Sequence, residues 1–235
     1  MIRLKKITTL VVLVLISFVC VQAQDVNALI AKVKFNIDKV NDYEATARMI
    51  TNVSFLKVPD ADVKVYFKKP NQLKIKNEKG ISFVPKGAVS INLNNILSGG
   101  KYTAIDAGTD KIGNTTVRIV KLLPEDDNAD VVLSTVYIDE AALVIRRAKT
   151  TTRANGSYQL EMNYGKYSAF GLPDKIVFTF DTKDYKLPKG VTFDFDDGTQ
   201  NNRSAADKAK SKNGKAEITF SSYVVNKGVA EDVFK

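Results

Sequence analysis

The chain has 235 residues, with 35 Lys and Arg against 26 Asp and Glu for a formal charge of +9, no histidine, no tryptophan and a single cysteine. The missing histidine and lone Cys20 exclude Ser-His-Asp and Cys-His catalysis, the common zinc sites and an intramolecular disulfide.

Residues 1–23 read as a cleavable signal peptide. Arg3, Lys5 and Lys6 form a positive start, Leu10 to Val19 is almost continuously apolar, and Val21-Gln22-Ala23 supplies the small-residue cleavage pattern. The apolar run is short for a membrane span. Cys20 invites a lipidation reading, but Val19 stands where that processing wants a small residue. Cleavage removes three positive charges and no negative one, taking +9 to +6, and removes the only cysteine. Export without disulfides fits a bacterial envelope, so the periplasm is the expected location. No Pro/Gly/Ser linker divides residues 24–235, and one domain is expected there.

Asp25 to Val40 carries Val26, Leu29, Ile30, Val33, Ile37 and Val40 at helical spacing, which predicts an amphipathic helix. Strands follow: Tyr43 to Phe55, then two pieces joined at Pro70-Asn71. In these, Val63, Val65 and Phe67 oppose Lys64, Tyr66 and Lys68, and Leu73 and Ile75 oppose Lys74 and Lys76. Gly80 to Val84 predicts a further strand, and Val89 to Leu97 a short helix stopped by Gly99-Gly100. Lys101 to Asp106, Thr116 to Leu123, Val131 to Ile138, Leu143 to Thr151, Ser157 to Tyr167, Lys175 to Asp181 and Lys215 to Val225 continue the strand series. Asp139-Glu140-Ala141 and Asn155-Gly156 predict turns, the second a tight hairpin.

The strand faces are unequal. Leu160 and Met162 alternate with Gln159 and Glu161, Ile176, Phe178 and Phe180 with Val177 and Thr179, and Ile218 and Phe220 with Glu217 and Thr219. This is the signature of an antiparallel sheet with one apolar and one wet face. One good helix is little cover for so wide a surface. The residues alone leave open whether that face closes as a packed core or holds an apolar cavity.

Other patterns carry less. Asp194, Asp196 and Asp197 miss calcium-loop spacing, and Glu125-Asp126-Asp127-Asn128 reads as a polar turn, so no metal or cofactor is expected. The lysines alternate with apolar residues along strands, without a phosphate loop or an RNA-binding aromatic signature, so nucleic acid is not an expected partner. A hydrolase using paired carboxylates, and a structural envelope protein with a packed core, are the readings from other classes.

The order signal peptide, amphipathic helix, "VNDYEATARMITNV" (Val40 to Val53), "VYFKKPNQLKI" (Val65 to Ile75) and the segment Val136 to Phe180 resembles the LolA-like lipoprotein-sorting proteins. The resemblance implies a mainly β, α+β fold, in which a strongly curved antiparallel sheet forms a half-closed barrel under the N-terminal helix and one or two short helices. It implies a non-enzymatic periplasmic carrier of acyl chains, a monomer whose partners are acylated lipoproteins or lipids, an inner-membrane release complex and an outer-membrane acceptor. A lipid sensor or regulator on the same scaffold is the alternative. The barrel is expected to enclose a continuous apolar cavity for the acyl chains, lined by Val65, Phe67, Leu73, Ile75, Leu160, Met162, Ile176, Phe178 and Phe220. In such carriers an arginine before the proline holds the lid; here Lys69 occupies that position and is the expected lid contact. The polar stretch Asp196 to Lys215, around Asn201 to Asn213, is a second departure from the pattern.

Overall fold

In the computed structural model the described residues are 25–53, 56–57, 60–70, 72–77, 101–153, 156–181 and 213–234. The expected signal peptide, the strand at 80–84, the helix at 89–97, the acidic group at 194–197, most of the polar stretch and Asn155 lie outside them.

One helix, α1 (Val26–Asp38), opens the described chain. Its start is set by Asp25, whose carboxylate accepts from the Asn27 amide and so satisfies one of the four N–H groups a helix leaves unpaired. Val26, Leu29, Ile30, Val33 and Ile37 are buried along one stripe. At roughly 1.5–3 kcal/mol per buried aliphatic side chain, that stripe contributes on the order of 10 kcal/mol before entropy is counted.

Eleven strands follow: β1 (Asp42–Val53), β2 (Leu56–Lys57), β3 (Ala61–Lys68), β4 (Gln72–Asn77), β5 (Tyr102–Ile112), β6 (Thr115–Pro124), β7 (Val131–Asp139), β8 (Val144–Thr152), β9 (Gly156–Asn163), β10 (Lys175–Asp181) and β11 (Asn213–Val225). They pair antiparallel in the order β4-β3-β1-β11-β10-β9-β8-β7-β6-β5, with the short β2 alongside β1. Among the described strands the path does not close on itself. It forms a curved, half-open sheet with α1 packed against its apolar face.

Local chemistry shapes the sheet at three places. Between Thr46 and Ala47 the register with β11 shifts, leaving Ser221 as the extra residue, and its hydroxyl donates to the Thr46 carbonyl at 3.1 Å. Gly214 is required by packing, because a Cβ there would lie 2.3 Å from the Phe180 ring. Gly171, at φ +65°, closes a 3-10 turn (Ser168–Phe170) against α1, where an added Cβ would meet Ile37 at 3.1 Å. A second 3-10 turn (Glu231–Phe234) follows β11.

Two expectations are corrected. The β8–β9 connection is not a two-residue Asn155-Gly156 turn: Gly156, at φ 67°, is already paired with Thr152 as the first residue of β9. The strand expected to reach Tyr167 ends at Asn163, where Asp174 returns a backbone hydrogen bond to the Asn163 carbonyl and the chain turns at Gly165. The Asp139 turn is present. Asp139 Oδ1 accepts from the amides of Ala141 and Ala142, while Oδ2 accepts from Arg146 at 2.9 and 3.2 Å.

Candidate functional site

The apolar face is built in rows across the strands. One row runs Thr51, Ala216, Phe178, Leu160, Ala148, Val136 and Val120, each directly opposite the next. The adjacent row carries Met49, Ile218, Ile176 and Met162. Further toward the β3–β4 edge, Val65 pairs with Ile75 and Phe67 with Leu73.

These residues form two apolar groups. The larger lies under α1 and contains Leu160, Met162, Ile176, Phe178 and Phe180 together with the helix stripe. The smaller contains Val40, Ala45, Ala47, Met49, Val63, Val65, Phe67, Ile218 and Tyr223, with Leu73 and Ile75 half-buried against it. Phe220 packs against both. All nine sequence-derived face residues therefore share one side of the sheet, divided between two clusters. Leu160, Met162 and Phe178 are fully buried; Leu73, Ile75 and Phe220 keep part of their surface accessible.

Alternation alone missed the aromatic seam of the smaller cluster. Tyr223 stacks on Phe220 at 4.9 Å between ring centroids and meets Tyr43 and Tyr167 edge-on at 5.3 and 5.0 Å, while Tyr43 lies 5.3 Å from Phe67. The Ser221 bulge moves the inward positions of β11 from even to odd numbers, so Tyr223 joins Phe220 on the same side. Its hydroxyl donates to the Pro173 carbonyl at 2.8 Å, and that of Tyr164 to the Ile145 carbonyl at 2.9 Å. Burial pushes the phenols of Tyr43, Tyr164 and Tyr223 well above their ordinary value, so all three stay neutral at any physiological pH.

At one end of α1 stands Lys69. Its Nζ donates to the Asp38 carbonyl at 2.5 Å, and its own amide donates to the Asn41 carbonyl at 2.8 Å. The last turn of α1 contains no basic residue, so Lys69 supplies from the β3–β4 turn the positive charge that the helix C-terminus favours. Lys34, one turn back, occupies the other side of the Asp38 carboxylate at 2.8 Å.

The face presents neutral, packed, hydrogen-bonded groups. Among the described residues no cluster of three or more Asp, Glu, His or Cys is placed to hold a metal ion. Chemically the arrangement suits withdrawing apolar surface from water.

No protein-family model matches the chain, and no curated protein matches it by sequence. Solved structures do. A domain assigned to outer membrane lipoprotein sorting from Vibrio parahaemolyticus aligns over 88% of this chain and 95% of its own, at 12% identity and a TM-score of 0.53. A LolA superfamily protein from Nitrosomonas europaea aligns over 89% and 96%, at 9% identity and a TM-score of 0.54. A DUF1329 family protein from Desulfovibrio piger gives the same coverage and TM-score at 11% identity. The architecture is thus that of a half-open sheet closed by a helix, and it is the LolA-like fold.

Proposed function

We propose that this protein is a periplasmic carrier that shelters acyl chains against the concave face of its sheet, serving the sorting of lipoproteins to the outer membrane. The observation that carries the reading is the pairing of a half-open, one-sidedly apolar sheet with an amphipathic helix held at its end by Lys69. Each methylene withdrawn from water contributes about 0.8 kcal/mol, so a carrier needs apolar area and a movable cover rather than acid–base groups. The likeness in fold to lipoprotein-sorting and LolA superfamily structures supports the assignment, as does the signal-peptide pattern of residues 1–23. On this reading α1 is a lid, a membrane complex loads the carrier, and an outer-membrane acceptor unloads it.

The test is organic extraction and mass spectrometry of protein purified from its native envelope, with titration of a fluorescent acyl probe into the delipidated protein. Co-purified lipid or acylated protein and saturable probe binding are expected. A chain that carries no lipid and leaves the probe unbound is not a carrier.

A further inference from the structure

Thr51 is the exception on the apolar face. The other buried hydroxyls described there are spoken for: Ser134 and Thr150 bond each other at 3.0 Å, Thr152 donates to the Gly156 carbonyl at 3.0 Å, and Tyr223 donates to Pro173. Thr51 is 8% exposed, and its Oγ1 is the one buried side-chain polar atom among the described residues with no hydrogen-bond partner. Buried polar groups are almost always paired, and leaving one unpaired is costly. The orphan therefore asks for a partner that the protein does not supply.

Its position says what kind. On β1, Thr51 follows Met49 of the smaller apolar cluster; across the sheet it opposes Ala216 of the larger one, with Phe178 next in the row. The hydroxyl thus sits on the seam between the two clusters, beside one of the smallest side chains on the face. Among the described residues these neighbours are apolar and supply no cation, so an ionised headgroup would be desolvated without compensation from them at a cost no single hydroxyl offsets. A neutral carbonyl oxygen accepts one hydrogen bond and is otherwise content in apolar surroundings.

We infer that Thr51 Oγ1 is a ligand-binding donor that takes the carbonyl of an ester- or amide-linked acyl chain, which selects acylated amphiphiles over free fatty acids and plain hydrocarbon. This inference rests on the carrier reading and specifies the cargo chemistry of the same face.

The experiment uses two competitors of equal chain length, a monoacylglycerol and the corresponding 1-O-alkylglycerol ether, displacing a fluorescent acyl probe from wild type, Thr51→Val and Thr51→Ser. Wild type should prefer the ester by about three- to tenfold, the net worth of one hydrogen bond to a carbonyl. Thr51→Val should erase that preference, and Thr51→Ser should keep it. Without ligand, Thr51→Val should also shift the thermal midpoint upward, because it removes an unpaired hydroxyl while conserving shape. A structural role through a fixed water predicts the reverse: a lower midpoint and an unchanged ester preference, which overturns the inference. Equal affinity of wild type for ester and ether overturns it as well, while leaving the carrier reading intact. A wild type that binds neither competitor nor the probe overturns both.

Discussion

Asn226 and Asn41 are separated by 185 positions in the chain, yet the Asn226 side-chain oxygen accepts the Asn41 amide at 2.7 Å. The same side chain donates to the Lys39 carbonyl at 2.8 Å, and the Asn226 backbone amide donates to the Asp42 carbonyl at 2.9 Å. The segment after β11 thus holds the exit of α1, at a residue whose φ of 56° asparagine tolerates better than most.

Asn226→Gly isolates the side-chain part of that clasp, since glycine accepts the left-handed backbone and keeps the backbone amide but carries no side-chain amide. A loss of about 1–2 kcal/mol is expected from the urea midpoint. Stability equal to wild type would show that water replaces the side chain without penalty.

Lys69 governs the other hold on the helix. Replacing it with leucine removes a charge-assisted donor from the Asp38 carbonyl, a bond on the order of 1.5–3 kcal/mol. Amides of Val33 to Asp38 should then exchange with solvent about ten- to a hundredfold faster. Cargo transfer to an acceptor should slow, because the open state is favoured. Identical exchange in both proteins would reduce Lys69 to surface charge.

The nine face residues separate into two experimental classes. Phe178 is 1% exposed and touches Tyr158 and Phe180, so Phe178→Ala should cost about 3–5 kcal/mol and report on stability, whatever it does to binding. Leu73 and Ile75 lie half-buried on β4, at one end of the described strand order. Leu73→Ser and Ile75→Ser should fold and weaken a fluorescent acyl probe by about three- to tenfold. Full probe affinity in both folded variants would move the binding surface away from β4.

Asp139 links stability to pH. Burial alone would raise its carboxyl, but the Ala142 amide, the Arg146 guanidinium and the Ala141 amide together hold it below the ordinary carboxylate value. The folded state therefore binds this proton less readily than the unfolded chain. Its stabilisation is present above the unfolded value of about 4 and is lost as pH falls through the lowered folded one. Asp139→Asn should cost about 1–3 kcal/mol at pH 7, and its deficit relative to wild type should shrink by pH 3. A deficit independent of pH would mean that shape rather than charge holds the turn.

Period-two alternation made β3, β9 and β10 legible in the sequence, with their inward residues, because each strand buries one face only. The helix was equally plain from its apolar stripe. What stayed hidden was non-local. Nothing in "SSYVV" announces that Ser221 is an extra residue, since a bulge is defined by the partner strand. Thr51 reads as an ordinary strand threonine, and Asn226 as a polar residue after a strand; their roles depend on which strands pair across the sheet.

The strand order also bears on how the molecule comes together. β11 lies between β1 and β10, so it joins the group β4-β3-β1 to the group running from β10 to β5. Along the chain both groups come before the strand that unites them. Until residues 213–225 pair, β1 and β10 each lack one neighbour beside an apolar face, an interval in which the folding chain is open to mispairing with its own copies. Assembly therefore waits on a contact spanning nearly the whole chain, and the clasp at Asn226 forms with that final step.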